Sequence, residues 1–235
     1  MIAQSLTLAT IVLLYGLGGD RHVWDGVVPR LGKHRVITVD MPPPGTLDEM
    51  AKKVAAEIRA QKAAPAILVG HSLGGAVMAH VPLVDRGVVK ALVLVDIPIG
   101  VTWTPGEVAE FRDGLAKDRD ATLRGFFGSI CKPPQLPRIL AGVGKLSNET
   151  IVGYLNALAT GAIGDGGRAL GVPTLLMASK LILPQKKPRA EEVAAAGLAH
   201  VAKLDVERFD DSMHWIMWDE PDKLVAVLSR FVDKN

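Results

Sequence analysis

Apolar residues in the first hundred positions come in short solid runs separated by glycine- and proline-rich breaks. Ile11-Val12-Leu13-Leu14 sits inside a run from Leu6 to Tyr15, and Val36-Ile37-Thr38-Val39 inside Arg35–Asp40. Ile67-Leu68-Val69 follows Pro65-Ala66, and a fourth run extends from Val89 to Val95. Runs of this length, bounded by turn residues, predict strands buried on both faces. Between them the period changes. Arg21 to Leu31 predicts a helix with Trp24 and Val28 on one side. Thr46-x-x-Glu49 is a capping box, and Leu47, Met50, Val54 and Ile58 follow it at helical spacing. Gly75 to Val81 predicts a further helix. After Pro98 the pattern shifts: from Gly100 to about Leu170 the chain is helical in period, rich in glycine, and without a strand run. Strand signals resume at Val172–Ala178 and again over Ala202–Phe209. A helical stretch, Arg189–Ala199, lies between them with Glu191 and Glu192 in its first turn, the favourable end of the helix dipole. The loop Asp210–His214 and an amphipathic stretch, Pro221–Val232, close the chain.

Alternating strands and helices imply an α/β protein with a mostly parallel central sheet flanked by helices. Residues 1–99 and 171–235 form the expected core domain. Residues 100–170 are expected as a helical cap insertion over the carboxyl edge of the sheet, where open α/β sheets carry their sites.

Composition narrows the function classes. The 235 residues are 49% hydrophobic, enough for one well-cored domain. Lys and Arg number 27 against 25 Asp and Glu, so charge offers no argument for nucleic acid or an anionic membrane. Mean hydropathy is high at +0.25, yet no apolar run approaches the roughly 20 residues of a membrane span. The stretch Met1–Thr10 lacks a basic residue and leads straight into a glycine turn, so it predicts a strand and not a signal peptide. One cysteine, Cys131, cannot form a disulfide within the chain, and a cytoplasmic location is expected. No Cys/His or His-x-x-x-His spacing suggests a metal site. No cofactor is expected.

The chemistry centres on Gly70-His71-Ser72-Leu73-Gly74-Gly75, placed between a strand and a helix. G-x-S-x-G in that context is a nucleophile elbow: a sharp turn exposes the serine hydroxyl, and glycines two residues either side avoid collision. A serine hydroxyl needs a base. Of six histidines, His214 follows the last strand at the elbow's edge, whereas His200 precedes that strand and belongs at the opposite edge. His71 should point away from the serine, and His22, His34 and His80 occupy helix or surface positions. The base needs an acid to fix its tautomer. Asp96, ending the Val89–Val95 strand, is the candidate; its alternative reading is a turn aspartate for the Pro98 bend. Asp210 and Asp211 read as surface residues of the His214 loop. Backbone N–H groups of Leu73, at a helix start, and Leu17, in the Gly16-Leu17-Gly18-Gly19 turn, are the candidate oxyanion donors. That turn lacks the third glycine of G-x-G-x-x-G and the Lys-Ser/Thr of a P-loop. Cys131 has no feature predicting a reactive thiol.

With these residues in view, the chain resembles the α/β-hydrolase fold superfamily, in its branch of small bacterial esterases with a helical cap. Leu14-Tyr15-Gly16-Leu17-Gly18-Gly19, Val39-Asp40-Met41-Pro42, Gly70–Gly75, Ala91–Asp96, Val172–Leu176 and Met213-His214-Trp215 carry the resemblance. Three departures stand out. Tyr15 replaces the usual histidine of the oxyanion turn. The loop Asp40-Met41-Pro42-Pro43-Pro44-Gly45 is shortened, which is expected to open the site. The commonest position for the acid, past the Val172–Ala178 strand, holds no carboxylate; Asp96-Ile97-Pro98 resembles the alternative position at the end of the preceding strand. The resemblance implies six or seven strands and a serine esterase acting on a small-molecule ester, with Ser72, His214 and Asp96 as triad. Lactone, thioester, perhydrolysis or carbon–carbon cleavage chemistry, and a non-catalytic binder on the same scaffold, are the alternatives.

Overall fold

The computed structural model describes residues 8–97, 103–161, 170–183, 187–195, 197–199 and 201–235. The expected starts at Leu6 and at Gly100, the Pro98 bend and His200 fall outside these residues. Six strands form one parallel sheet in the order β2-β1-β3-β4-β5-β6, comprising β1 (Thr10–Leu14), β2 (Arg35–Thr38), β3 (Ala66–His71), β4 (Val89–Val95), β5 (Thr174–Ser179) and β6 (Leu204–Phe209). All carboxyl ends therefore share one edge. Strands β3, β4 and β5 lie side by side in register, pairing His71 with Val95 and Val95 with Met177.

Alternation along the strands divides the interior into two layers. Val12, Leu14, Leu68, Leu92, Leu94 and Leu176 face one side, against α1 (Leu47–Ala60) and α2 (Leu73–Val84). Ile11, Leu13, Ile67, Val69, Val93, Val95, Leu175 and Met177 face the other, against Trp24 and the carboxyl-terminal helix. The solid apolar runs of the sequence are the result: every position of β3 is buried because both faces are covered. The Thr46–Glu49 capping box starts α1, with Glu49 N–H donating to the Thr46 hydroxyl at 3.2 Å and Thr46 N–H to the Glu49 carboxylate at 2.8 Å.

Between β4 and β5 the chain forms α3 (Pro105–Lys117), α4 (Arg119–Ile130), α5 (Leu136–Val143) and α6 (Asn148–Thr160). After β5 come α7 (Arg189–Ala195), α8 (Ile216–Asp219) and α9 (Pro221–Lys234). One expected helix is absent. Arg21–Leu31 forms two short 3-10 turns, Arg21–Trp24 and Val28–Arg30. Gly26 weakens the span and Pro29 lacks the N–H that a continuous α-helix would use. Trp24 is nevertheless buried in the second layer. Among the described residues no helix is long and apolar enough to cross a membrane, and no group of three or more His, Cys, Asp or Glu side chains could hold a metal ion.

Candidate active site

Ser72 stands between the end of β3 and the start of α2, with φ 52° and ψ −127°. Left-handed backbone of this kind is costly for a residue with a side chain. Close contacts on both sides hold it there. A Cβ on Gly70 would lie 2.4 Å from the Gly74 carbonyl oxygen, and one on Gly74 would lie 2.3 Å from that of Tyr15. The two motif glycines are thus required by backbone-to-backbone approach. Helix geometry leaves the first N–H groups of α2, starting at Leu73, without intrahelical partners beside the serine. The turn after β1 reaches the same place. Gly19 N–H closes it onto the Gly16 carbonyl at 3.1 Å, Gly18 adopts φ 79°, and a Cβ on Gly16 would lie 2.6 Å from that of Ser72. Leu17 sits within this turn.

Asp96 follows β4 as Ser72 follows β3. Ser72 N–H donates to the Val95 carbonyl at 3.0 Å, and Asp96 N–H to that of Met177 at 2.8 Å, so the ladder carries both residues past the strand ends. Asp96 also has φ 52°, and its side chain is fully buried. Its Oδ1 accepts the Ser179 N–H at 2.7 Å and its Oδ2 meets His214 Nδ1 at 2.7 Å. A buried carboxylate of this kind needs such partners. It spans two strands and reaches the loop after a third. Asp210 and Asp211 are on the surface, with Asp210 engaged by Arg208.

The His214 loop is fastened at several points. Met213 N–H donates to the buried Asp219 carboxylate at 2.7 Å, and His214 N–H to the Ile130 carbonyl at the end of α4 at 2.9 Å. His71, adjacent to Ser72, is 1% exposed, and its Nε2 donates to the His214 carbonyl at 2.9 Å. The two imidazole centroids are 4.7 Å apart. The His71 ring thus faces the His214 loop. That contact joins residues 143 apart in sequence, and no local pattern announces it. Trp215 meets the His214 ring edge-on at 5.0 Å and stacks on Trp218.

Two departures from the family pattern acquire a structural account. The Tyr15 hydroxyl accepts the Met41 N–H at 3.2 Å, and the Tyr154 hydroxyl of α6 donates to the Pro42 carbonyl at 2.9 Å. A cavity of about 470 Å³ lies against the shortened loop, lined by Asp40, Pro42 and Pro43 together with Lys53, Val54 and Glu57 of α1. A Cβ on Gly153 would lie 2.8 Å from the Pro44 ring, so α6 packs directly on the loop. The loop is thus open toward α1 and covered by α6. Cys131 is buried, and burial, with the Asp219 carboxylate adding, raises its thiol pKa above the usual value.

The sequence profile of the alpha/beta hydrolase family matches residues 11–227. The chain belongs to that family. A pimeloyl-[acyl-carrier protein] methyl ester esterase from Cronobacter sakazakii is 35% identical over 132 residues. That match covers 49% of each protein, so the chain spans about half the length of this relative. Among solved structures, a hydrolase from Oleispira antarctica superposes with a TM-score of 0.82 at 13% identity, covering 97% of this chain and 92% of the other. An esterase from Exiguobacterium antarcticum gives 0.81 at 22% identity, covering 95% and 91%. At these identities the two structures speak for the fold.

Proposed function

We propose that this α/β hydrolase is a serine esterase that cleaves small carboxylic esters through an acyl-enzyme. The observation that carries the reading is the pairing of His214 Nδ1 with the buried Asp96 carboxylate, on the rim where strained Ser72 stands. The Ser72 Oγ attacks the ester carbonyl carbon and its proton passes to His214 Nε2. Asp96 holds the Nδ1–H, keeps the ring in the useful tautomer and stabilises the imidazolium. The carbonyl electron pair moves onto oxygen, where the Leu17 and Leu73 N–H groups receive it. Collapse breaks the ester bond, and the departing alkoxide takes the proton from His214. Water then repeats the sequence and releases the acid. Helices α3 to α6 act as the cap over this rim. Names of relatives that include esterases support the ester class; the substrate is a small molecule, and the reaction asks for no metal or cofactor.

A p-nitrophenyl acetate and butyrate series, run beside fluorophosphonate labelling, tests this. Wild type should turn over and label at Ser72, and Ser72→Ala should do neither. Undiminished turnover in Ser72→Ala refutes the nucleophile. A folded wild type that neither labels nor turns over refutes the enzyme and leaves a binding protein. A panel of lactones and thioesters beside the esters decides among the related acyl-transfer chemistries.

A further inference from the structure

We propose that His71 is a positioning residue for this reaction: its Nε2–H grips the backbone of His214 and fixes where the base stands above the elbow. The inference rests on the roles given to Ser72 and His214 above. His214 has four polar groups. Its N–H donates to Ile130, its Nδ1 is held by Asp96, and its carbonyl accepts from His71. Among the described residues Nε2 meets no partner and remains for chemistry.

The residue type at 71 follows from this arrangement. A carbonyl can only accept, so Nε2 of His71 carries the hydrogen and Nδ1 bears only a lone pair. Nδ1 is buried with no hydrogen-bond partner, against the oxyanion turn, where a Cβ on Gly16 would lie 3.1 Å from it. A bare buried acceptor costs stability. A phenyl ring would fill the same space without that cost. What the imidazole adds is the donor to His214. Burial first, and the neighbouring His214 second, push the His71 pKa well below its usual value. His71 therefore stays neutral, and no second positive charge opposes the imidazolium that forms 4.7 Å away.

The test compares His71→Phe, which keeps volume and loses the donor, with His71→Gln, which returns an N–H near the Nε2 position. In ester turnover, His71→Phe should lose about ten- to a hundredfold in kcat, the scale of a misplaced catalytic group. KM should stay within about threefold, and His71→Gln should keep kcat within about threefold of wild type. Wild-type kcat in His71→Phe overturns the proposal, as does an equal loss in both variants or a loss confined to KM. If His71→Phe does not fold, His71→Asn replaces it, since its shorter amide cannot reach the His214 carbonyl and should show the same loss. Histidine 15N NMR on the wild type gives a readout apart from turnover: His71 should show the neutral Nε2–H form, and an Nδ1–H form overturns the proposal. Absence of wild-type turnover and labelling sinks the esterase reading and this role with it. An active wild type with an unimpaired His71→Phe sinks the positioning role alone.

Discussion

The two ends of α2 are built to different standards. At its far end every polar group of the buried His80 is satisfied: Nδ1 meets the Asp48 carboxylate at 2.7 Å and Nε2 meets the Gly161 carbonyl at 2.9 Å. Asp48 lies in the first turn of α1, next to a complete capping box. At the near end the backbone is strained and a buried nitrogen has no partner. Three non-glycine residues have positive φ among the described residues, and two of them are Ser72 and Asp96. The third, Lys62, lies just past the end of α1, where left-handed backbone is an ordinary way to stop a helix. Backbone strain thus gathers at the rim where a nucleophile, an acid and a base would have to meet, together with His71 Nδ1, one of two buried side-chain nitrogens without a partner among the described residues, the other being Trp24 Nε1. The far end of the same helix holds Pro82 within it but leaves its buried histidine fully paired. That distribution supports the proposed active site, because such costs persist only where the surroundings enforce them.

Replacing the serine probes the contrast most strongly. Ser72→Gly should cut ester turnover by about a thousandfold or more, as loss of a nucleophile does. The same change should raise the melting temperature, since glycine adopts φ 52° freely and relieves about 1–3 kcal/mol of strain. Activity and stability moving in opposite directions is the signature of the rim. A fall in both would mean that the turn is not strained in the sense argued here. Next in size is Asp96→Asn. Its Oδ1 can still accept the Ser179 N–H, but the amide cannot accept from His214 Nδ1. Turnover should fall by about a hundred- to ten-thousandfold with the fold intact. A larger loss from Asp211→Asn than from Asp96→Asn would place the acid elsewhere.

How far the sequence could be read depended on the range of the forces involved. The strands were legible because both faces of the sheet are covered, so burial wrote itself as unbroken apolar runs. The elbow was legible because Gly70 and Gly74 answer backbone contacts that any strand-to-helix turn of this type makes. Asp96 was legible as a strand-end carboxylate, whereas its contact with His214, 118 residues away, was not. Contacts between distant segments left no such trace. Nothing near Pro44 foretold that Gly153 of α6 would rest on it. Nothing near His71 foretold a bond to residue 214. The Arg21–Leu31 error was local: apolar spacing suggested a helix, and Pro29 outweighed it.

Smaller effects should appear at the far end of α2. His80→Phe removes a donor from the buried side of both Asp48 and the Gly161 carbonyl. It should cost about 1–3 kcal/mol in urea unfolding while leaving kcat of the folded protein unchanged. A kcat loss comparable to that of His71→Phe would erase the distinction between the two ends of α2.

The smallest effect is a slope. The His71 pKa lies well below its ordinary 6.5 in the folded protein, chiefly because the ring is desolvated. The unfolded chain therefore binds a proton below about pH 6.5 that the native state refuses. Since the unfolded state binds more protons, stability rises with pH: this contribution is complete above the unfolded value and is lost progressively as pH falls toward the depressed folded one. The slope approaches one proton, about 1.4 kcal/mol per pH unit. Glutamine at 71 does not titrate, so in His71→Gln the acid-side slope of urea-derived stability should be shallower than in wild type by up to that amount. The other histidines are common to both proteins, and all but His214, whose ring lies 4.7 Å from that of His71, cancel in the comparison. Superimposable slopes would mean that residue 71 accepts a proton in the native state, and the neutral donor that holds the His214 carbonyl would then have no basis.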